Sequence, residues 1–319
     1  MSKTPVFILG NRRSGTTMLR LMLTSHRNIV VPPEGGFVVR LGWKYGHRGF
    51  LSDQDVDDFV EDLFESETTQ DWELNEDCLR RLLRELVPCT YPALVDGVYR
   101  EYINVKFPGK KRWGDKTTWY LDYLHQIDQY FPESKYIHII RDGRAVAASF
   151  KRVPHLHNGM ERVAFEWIWG VKSIIRLGKR VGPERYLEVK YEQLVERPDY
   201  ELRRICRFIE EPYDDQMLDF WIKNRQQKLE PERHLAWKAL TLEKVTTTQV
   251  ARWQEELTKG DIAIFWAVAG NMMTKLGYGN YEITIPAKTN VYLKARKLID
   301  HVVRASGRKI RPWMARTKS

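Results

Sequence analysis

The chain contains 319 residues, of which 43% are hydrophobic and 29% are charged; this composition is typical of a soluble globular protein, and the length allows a large core. No run approaches the roughly 20 apolar residues of a membrane-spanning helix, and the first apolar run is too short for a secretion signal. The three cysteines, Cys78, Cys89 and Cys206, lack the spacing of metal ligands. We therefore expect a cytoplasmic protein with reduced cysteines.

The net charge of +10 is concentrated towards the C-terminal end. Residues 288–319 contain ten basic residues and one acidic residue, a charge of +9. Apolar residues at helical spacing predict a basic amphipathic helix there, and they are Val291, Ala295, Leu298, Ile299 and Val302. Two interpretations fit this tail: peripheral attachment to an anionic partner such as the inner face of a membrane, or a surface helix docked on the body and a frayed end. We divide the chain into a main domain, 1–287, and a basic tail, 288–319.

The main domain alternates short apolar runs with longer helical patterns. Four runs are predicted strands, namely Val6–Gly10, Ile29–Val31, Tyr136–Arg141 and Tyr186–Val189. Between about 51 and 108 the pattern is helical, which predicts a helical insertion, and Met160–Val181 is a predicted long helix. Strands that alternate with helices in this way predict an α/β fold with a central parallel sheet covered on both faces.

A glycine loop follows the first predicted strand. The stretch "ILGNRRSGTTMLR", residues 8–20, places Gly10 and Gly15 around four residues and then opens a helix. Backbone and hydroxyl donors of Ser14, Gly15, Thr16 and Thr17 would bind a phosphate at the helix N-terminus. A nucleotide triphosphatase has a lysine where Thr16 stands. The positive charge comes instead from Arg13, which weakens the alternative of a P-loop kinase or hydrolase.

A second phosphate motif follows the third predicted strand. In "YIHIIRDGRAVAASFKR", residues 136–152, a strand ends at Arg141 and a helix starts after a tight turn. Arg141 and Ser149 could both bind one phosphate. Ligands of such sheets bind at the carboxyl ends of the strands. Two phosphate sites at one sheet edge predict a nucleoside with phosphates at both ends, which is not ATP.

Taken together, "RRSGTT" and "RDGRAVAAS" resemble the sulfotransferase superfamily that uses 3′-phosphoadenosine 5′-phosphosulfate (PAPS). The sequence is similar to the branch that contains tyrosylprotein and bacterial carbohydrate-type sulfotransferases, and the resemblance covers most of the chain before the tail. Further matches occur in family order: "WGDKTTWYLDYLHQIDQYFPESKYIHIIRDGR", "YLEVKYEQLVERPDYELRRICRFIEEP" and "ARWQEELTKGDIAIFWAVAGNMMTKLGY". The resemblance implies a three-layer sandwich like that of the P-loop NTPases, and PAPS as the donor.

The resemblance also implies roles for individual residues. Glu34 in "VVPPEGGF" matches the family's catalytic base, although a turn glutamate is the alternative. Arg13 and Lys116 would stabilise the leaving phosphate, so that no metal is required, and Tyr191 would contact the nucleotide. Here the family's Lys-Thr-Pro or Lys-Asp-Pro is replaced by Lys116-Thr117-Thr118. A further nucleotide contact, in 237–253, is left open between Lys238, Lys244 and a threonine.

The reaction implied is transfer of a sulfuryl group to a hydroxyl acceptor. The absence of a luminal anchor in the sequence makes a protein tyrosine less favoured than a glycan, glycolipid or metabolite. A nucleic-acid or membrane-binding adaptor is the remaining alternative. It would not need Arg13, Glu34, Lys116 and Arg141 at strand ends, and a nearly neutral body argues against a nucleic-acid groove. The sequence does not predict the oligomeric state.

Overall fold

The computed structural model describes residues 4–153 and 159–279. Within these ranges the strands are β1 (Val6–Leu9), β2 (Ile29–Val30), β3 (Arg112–Asp115), β4 (Lys135–Ile140) and β5 (Tyr186–Lys190). They form one all-parallel sheet in the order β2-β3-β1-β4-β5. The predicted α/β class with a central parallel sheet is therefore confirmed.

The strand β1 lies in the centre of the sheet, between β3 and β4. Phe7 pairs with Asp115 of β3 on one side of β1 and with Tyr136 of β4 on the other. All four predicted strands are present within one or two residues of their predicted limits. The hydrophobic pattern does not predict β3, because Arg112 and Asp115 are charged. The strand begins one residue before the stretch "WGDKTTWYLDYLHQIDQYFPESKYIHIIRDGR" that carries the family resemblance.

The helices connect the strands and cover the sheet. Those before β3 are α1 (Thr16–Ser25), α2 (Phe37–Arg40), α3 (Gly42–Tyr45), α4 (Asp53–Phe64), α5 (Glu67–Gln70), α6 (Glu76–Arg84) and α7 (Tyr91–Lys106). Those from β3 to β5 are α8 (Leu124–Tyr130), α9 (Gly143–Lys151) and α10 (Met160–Val181). Those after β5 are α11 (Tyr191–Glu196), α12 (Pro198–Phe208), α13 (Phe220–Gln227), α14 (Glu232–Lys238), α15 (Thr248–Ala251), α16 (Trp253–Glu256) and α17 (Lys259–Lys275). Short 3-10 helices occupy Tyr120–Asp122, Asp215–Asp219 and Ala239–Leu242.

The two faces of the sheet pack into separate apolar clusters. Along β1, Phe7 and Leu9 belong to the cluster that includes α4, α6 and α7. Val6 and Ile8 belong to the other cluster, which includes α1, α11 and α12. Because neighbouring side chains of a strand point to opposite faces, this division produces the three layers of a sandwich and makes β1 fully buried.

Local signals set several helix limits. Ser52 and Asp55 form a capping box at the start of α4, as their spacing suggests.

The long helix α10 has the predicted limits. Of its two tryptophans, Trp167 is 1% exposed, whereas Trp169 is partly exposed and its Nε1 donates to Asp122 Oδ1 at 2.9 Å. One tryptophan therefore packs in the interior, as their two-residue spacing predicts.

The described residues divide into two compact units. The first comprises 4–141 and Trp169–Ala251 and contains the whole sheet. The second comprises 142–153, 159–168 and 252–279. In it, the Arg144 guanidinium bonds to Asp142 and its carbon lies 3.9 Å from the Trp253 ring centroid. The helical insertion and the division at 287 stay predictions, and the basic tail lies outside the described residues.

Within 4–153 and 159–279, no helix is long and apolar enough to cross a bilayer.

Candidate active site

The loop between β1 and α1 has the backbone geometry of an anion-binding turn. Arg13 and Gly15 adopt positive φ angles of 67° and 92°. Gly15 is the N-cap of α1 and has no side chain that could cap the helix, so the first-turn N–H groups of Thr16 and Thr17 can bind an anion. A Cβ on Gly15 would lie 2.5 Å from Tyr191 Cδ2, so this position requires glycine for space as well as for its φ angle.

Two arginine side chains converge on this loop. Arg141 Nη1 donates to the backbone oxygen of Arg13 at 3.0 Å, and Arg141 Nη2 donates to Gln249 O at 2.9 Å. The Arg141 guanidinium carbon lies 4.2 Å from the ring centroid of Tyr191. Arg13 Nη2 donates to Trp237 O at 3.0 Å. Two cations are thus held beside the N-terminus of α1, which favours a ligand with negative charge.

The two predicted serine ligands are both buried. Ser14 is 1% exposed within the loop, and its N–H donates to Asn11 O at 3.2 Å. Ser149 is 2% exposed on α9. Because α9 belongs to the second unit, the shared phosphate contact of Arg141 and Ser149 stays a prediction.

Glu34 follows β2 and forms an ion pair with Lys116, which follows β3. The Lys116 side chain is 1% exposed and the Glu34 side chain is 26% exposed, so both partners of the ion pair are largely buried. Burial raises the pKa of the Glu34 carboxyl, but the charges of Lys116 and Lys238 outweigh burial and hold that pKa below its ordinary value. Glu34 is therefore an anion at neutral pH, as a general base must be.

Contacts on both sides fix the segment that carries Glu34. Before it, Arg20 Nη1 donates to Val31 O at 3.0 Å. After it, Gly36 has a φ angle of 68°, and a Cβ there would lie 2.7 Å from Trp119 Cζ2. The glycine lets the chain turn directly against the indole ring, so Glu34 lies on a backbone with little freedom to move.

The stretch whose nucleotide contact the sequence left open contributes Lys238 to this site. Lys238 Nζ donates to Glu230 Oε1, and its side chain is 14% exposed, whereas Lys244 is exposed. Burial, followed by the charge of Lys116, lowers the pKa of Lys238 to about 8. Since its charge also acts on Glu34, Lys238 is the lysine of this stretch that faces the site.

A buried carboxyl next to Lys116 was missed by the sequence reasoning. Asp115 is 3% exposed, and its Oδ2 accepts bonds from the hydroxyls of Tyr99 and Tyr120, the latter at 3.3 Å. Burial raises the pKa of Asp115 to about 6. The sequence did contain one signal: Asp115 is an acidic residue between residues that become buried. A carboxylate in such a place requires polar partners from elsewhere in the chain.

The carboxyl ends of all five strands deliver the predicted side chains to one edge of the sheet. After β1 comes the glycine loop, and the other four ends are followed by Glu34, Lys116, Arg141 and Tyr191. This is the edge at which open parallel sheets bind ligands. In the described part of the chain, no group of three or more His, Cys, Asp and Glu side chains has a metal-binding arrangement.

A model of the sulfotransferase family matches residues 5–215, about two thirds of the chain. The chain belongs to the sulfotransferase family. This sulfotransferase-family chain is 26% identical over 298 residues to nodulation protein NoeE of Sinorhizobium fredii, a match that covers 85% of this chain and 65% of that protein. It is 25% identical over 222 residues to protein-tyrosine sulfotransferase A of Caenorhabditis elegans, covering 67% of this chain and 51% of the relative. The chain thus spans about half to two thirds of the length of these two curated relatives.

A solved structure with the same fold is the sulfotransferase domain of the olefin synthase of Synechococcus PCC 7002. It superposes with a TM-score of 0.62 at 21% identity, over 88% of this chain and 97% of that domain. The sulfotransferase domain of the curacin biosynthetic pathway has a TM-score of 0.58 at 18% identity, over 88% and 99% of the two chains. These likenesses confirm the predicted fold, which is that of sulfotransferase domains.

Proposed function

We propose that this chain transfers the sulfuryl group of PAPS to a hydroxyl acceptor, with Glu34 as the general base. The observation that carries this proposal is the Glu34–Lys116 ion pair at the carboxyl ends of β2 and β3. In this pair the carboxylate of Glu34 is the proposed proton acceptor, and the ammonium group of Lys116 is the proposed ligand of the leaving group. Membership of the sulfotransferase family supplies the reaction class.

The donor fits the two cationic positions at the sheet edge. One phosphate would lie against the N–H and hydroxyl groups of Ser14, Gly15, Thr16 and Thr17, with Arg13 beside them. The other would be bound by Arg141 and Ser149, while Tyr191 would contact the nucleoside. Thr16 in place of the NTPase lysine agrees with a ligand that has a single phosphate and a sulfuryl group at its 5′ end.

The proposed chemistry is an in-line displacement at sulfur. The acceptor oxygen forms a bond to sulfur while the bond from sulfur to the bridging phosphate oxygen breaks. Glu34 takes the proton of the acceptor hydroxyl, and the electron pair of the broken bond stays on the phosphate. Lys116 and Arg13 stabilise that growing charge, so that a bound metal is not required. The products are a sulfate ester and adenosine 3′,5′-bisphosphate.

The acceptor class that we propose is the hydroxyl of a glycan, glycolipid or small metabolite. One relative is named for nodulation and another for protein tyrosine, and at about 25% identity neither name assigns an acceptor to this chain. We further propose that residues 288–319, with their charge of +9, bring the chain to an anionic lipid surface. A chain truncated after residue 287 that binds phosphatidylglycerol vesicles as strongly as the full chain would contradict that role.

The direct experiment is to follow the conversion of radiolabelled PAPS to a labelled sulfate ester in the presence of EDTA. Glycosides of several sugars, inositol and a tyrosine peptide serve as acceptors, and Glu34→Gln is the control. Labelled sugar or metabolite is the expected result. Label on the peptide alone would overturn the acceptor class, and equal labelling by Glu34→Gln would overturn the role of Glu34.

A further inference from the structure

Glu230 is a buried carboxylate that lies between two helices of the site. It lies two residues before the start of α14, and its side chain is 2% exposed. Its Oε2 accepts a bond from Arg20 Nη2 at 2.6 Å. Its Oε1 accepts a bond from Lys238 Nζ and lies 3.0 Å from His234 Nδ1. Each carboxylate oxygen therefore binds a cation from a different helix.

On the Arg20 side, Glu230 is connected to the glycine loop and to the approach of the base. Arg20 lies in α1, the helix that begins at that loop, and its side chain is 1% exposed. Its Nη1 donates to Val31 O at 3.0 Å, just before Glu34, and its Nη2 also donates to Leu229 O at 2.9 Å. The same guanidinium thus fixes α1, the chain leading to Glu34 and the chain leading into α14.

On the Lys238 side, Glu230 is next to the Glu34–Lys116 pair. Lys238 lies close enough to both members for its charge to lower the pKa of Glu34 and for the charge of Lys116 to lower its own pKa. In the described ranges, no N–O distance within 4.0 Å joins Lys238 to Glu34. The charged groups that act on Lys238 are Lys116, Glu230 and Glu34. The titratable imidazole of His234, one turn earlier on α14, shares Glu230 Oε1 with Lys238.

We propose that Glu230 is a positioning residue that binds Arg20 and Lys238 with separate oxygens and so holds Lys238 as a second ammonium group facing the Glu34–Lys116 pair. This inference rests on the proposed function, since the second ammonium group serves a phosphosulfate donor. The alternating charges allow Lys116 and Lys238 to approach each other, because a carboxylate lies beside each of them. The ammonium groups of Lys116 and Lys238 would then both bind the anionic donor and product. The single negative charge of Glu34 does not neutralise both of them.

A carboxylate in this place also keeps Lys238 charged. Burial is the main cause that lowers the pKa of Lys238, to about 8, and the charge and hydrogen bond of Glu230 oppose it. Without Glu230, the pKa of Lys238 falls further and the ammonium group is lost at a lower pH. The same change leaves Arg20 buried without its carboxylate, which costs stability. The pH at which bisphosphate binding weakens therefore shows whether Glu230 positions Lys238 or only stabilises the fold.

The experiment measures the affinity of the full chain for adenosine 3′,5′-bisphosphate by calorimetry between pH 7 and pH 9. This window avoids the second ionisation of the phosphates near pH 6 and that of Asp115 at about 6. The unmodified chain should lose affinity as Lys238 loses its proton, by at most about ten-fold per pH unit for one proton. Glu230→Gln should shift this loss to lower pH and bind roughly ten-fold more weakly at pH 8, the effect of one charge-assisted hydrogen bond.

Two further variants make the result decisive. Lys238→Arg should abolish the loss of affinity in this window, because a guanidinium stays charged, and it should restore a flat profile in the Glu230→Gln background. Glu211→Gln is the matched control: it removes another buried carboxylate, paired with Arg112 at 3.4 Å, and should leave the profile unchanged. If Glu230→Gln does not fold, Glu230→Asp replaces it: the carboxylate is kept but lies one methylene further from Lys238, and an unchanged profile would again overturn the positioning role.

Four outcomes would contradict the inference in different ways. An unchanged pH profile in Glu230→Gln, or the same loss of affinity in Lys238→Arg, would overturn the positioning role and leave the proposed function intact. A profile shifted equally by Glu211→Gln would reduce Glu230 to structural support. Failure of the unmodified chain to bind the bisphosphate at any pH would overturn the proposed function together with this inference.

Discussion

Glu34 and Lys116 form an ion pair across 82 residues of sequence, one at the end of β2 and the other at the end of β3. The parallel pairing of these strands brings the two side chains to the same sheet edge. The charge of the lysine favours the ionised form of the glutamate, and Glu34 Oε1 accepts the bond from Lys116 Nζ.

We predict that Glu34→Gln retains binding of adenosine 3′,5′-bisphosphate but lowers the transfer rate about 10²–10⁴-fold, the usual contribution of general base catalysis. Because the pKa of Glu34 lies below its ordinary value, the base is lost only at a pH below the ordinary range of a glutamate carboxyl. The rate of the unmodified chain should therefore not fall between pH 8 and pH 6 through protonation of Glu34. Radiolabel transfer measured at several pH values checks both statements. A rate for Glu34→Gln within three-fold of the unmodified chain would place the base elsewhere.

Gly15→Ala should abolish bisphosphate binding. The φ angle of 92° strains any side chain there, and the added Cβ would collide with Tyr191. The positive φ angle alone costs about 1–2 kcal/mol of stability. Gly182→Ala is the matched control, because Gly182 has a φ angle of 80° and no neighbour within 4 Å of the added carbon. Titration by calorimetry should give no binding for Gly15→Ala and normal binding for Gly182→Ala; equal binding by both would mean that the loop is not the phosphate site.

Arg141→Lys should weaken bisphosphate binding by at least about ten-fold although the charge is kept. The planar guanidinium makes two directed bonds, to Arg13 O and Gln249 O, and lies over Tyr191; an ammonium group cannot reproduce this combination. Arg203→Lys is the control, since Arg203 also stacks on a tyrosine, at 4.0 Å, but on the surface. Similar affinities for the two variants would show that charge alone matters at position 141.

Asp115→Asn should change how stability depends on pH. The pKa of Asp115 is raised to about 6 by burial, so the folded state holds the proton more tightly than the unfolded state. Its stabilising effect is present below about pH 4 and is lost as the pH rises to about 6, an effect of roughly 3 kcal/mol. The free energy of unfolding of Asp115→Asn relative to the unmodified chain should therefore improve by that order between pH 4 and pH 7. Urea unfolding at both pH values measures it, and a difference that stays constant would mean that folding does not raise the pKa of Asp115.

The sequence predicted the strands that consist of aliphatic residues and the residues that follow them. Val6–Leu9 is a continuous apolar run and the run at 136–140 is interrupted only by His138, so burial on both faces could be predicted from composition. β3 could not be predicted in this way. Arg112 is buried because it bonds to Ile209 O and pairs with Glu211, about 100 positions later in the chain, and no local pattern contains that information.

The site was predictable where a motif is local and not where partners are distant. The loop with Arg13 and Gly15 is a contiguous motif, and the structure brings it together with Arg141 and Tyr191. Glu230 was missed because its partner Arg20 lies 210 residues away. Lys238 could not be distinguished from Lys244 by sequence, since only burial separates them. Charge networks between helices depend on the tertiary fold and require coordinates.

The most direct test of the proposed function is a thermal shift measurement with adenosine 3′,5′-bisphosphate in EDTA beside ATP with Mg²⁺. A ligand at about 100 times its dissociation constant adds ~2.7 kcal/mol to the free energy of unfolding. We predict a clear rise in Tm with the bisphosphate and none with ATP and Mg²⁺. A rise with ATP and Mg²⁺ alone would contradict PAPS as the donor and would indicate a nucleoside triphosphate site instead.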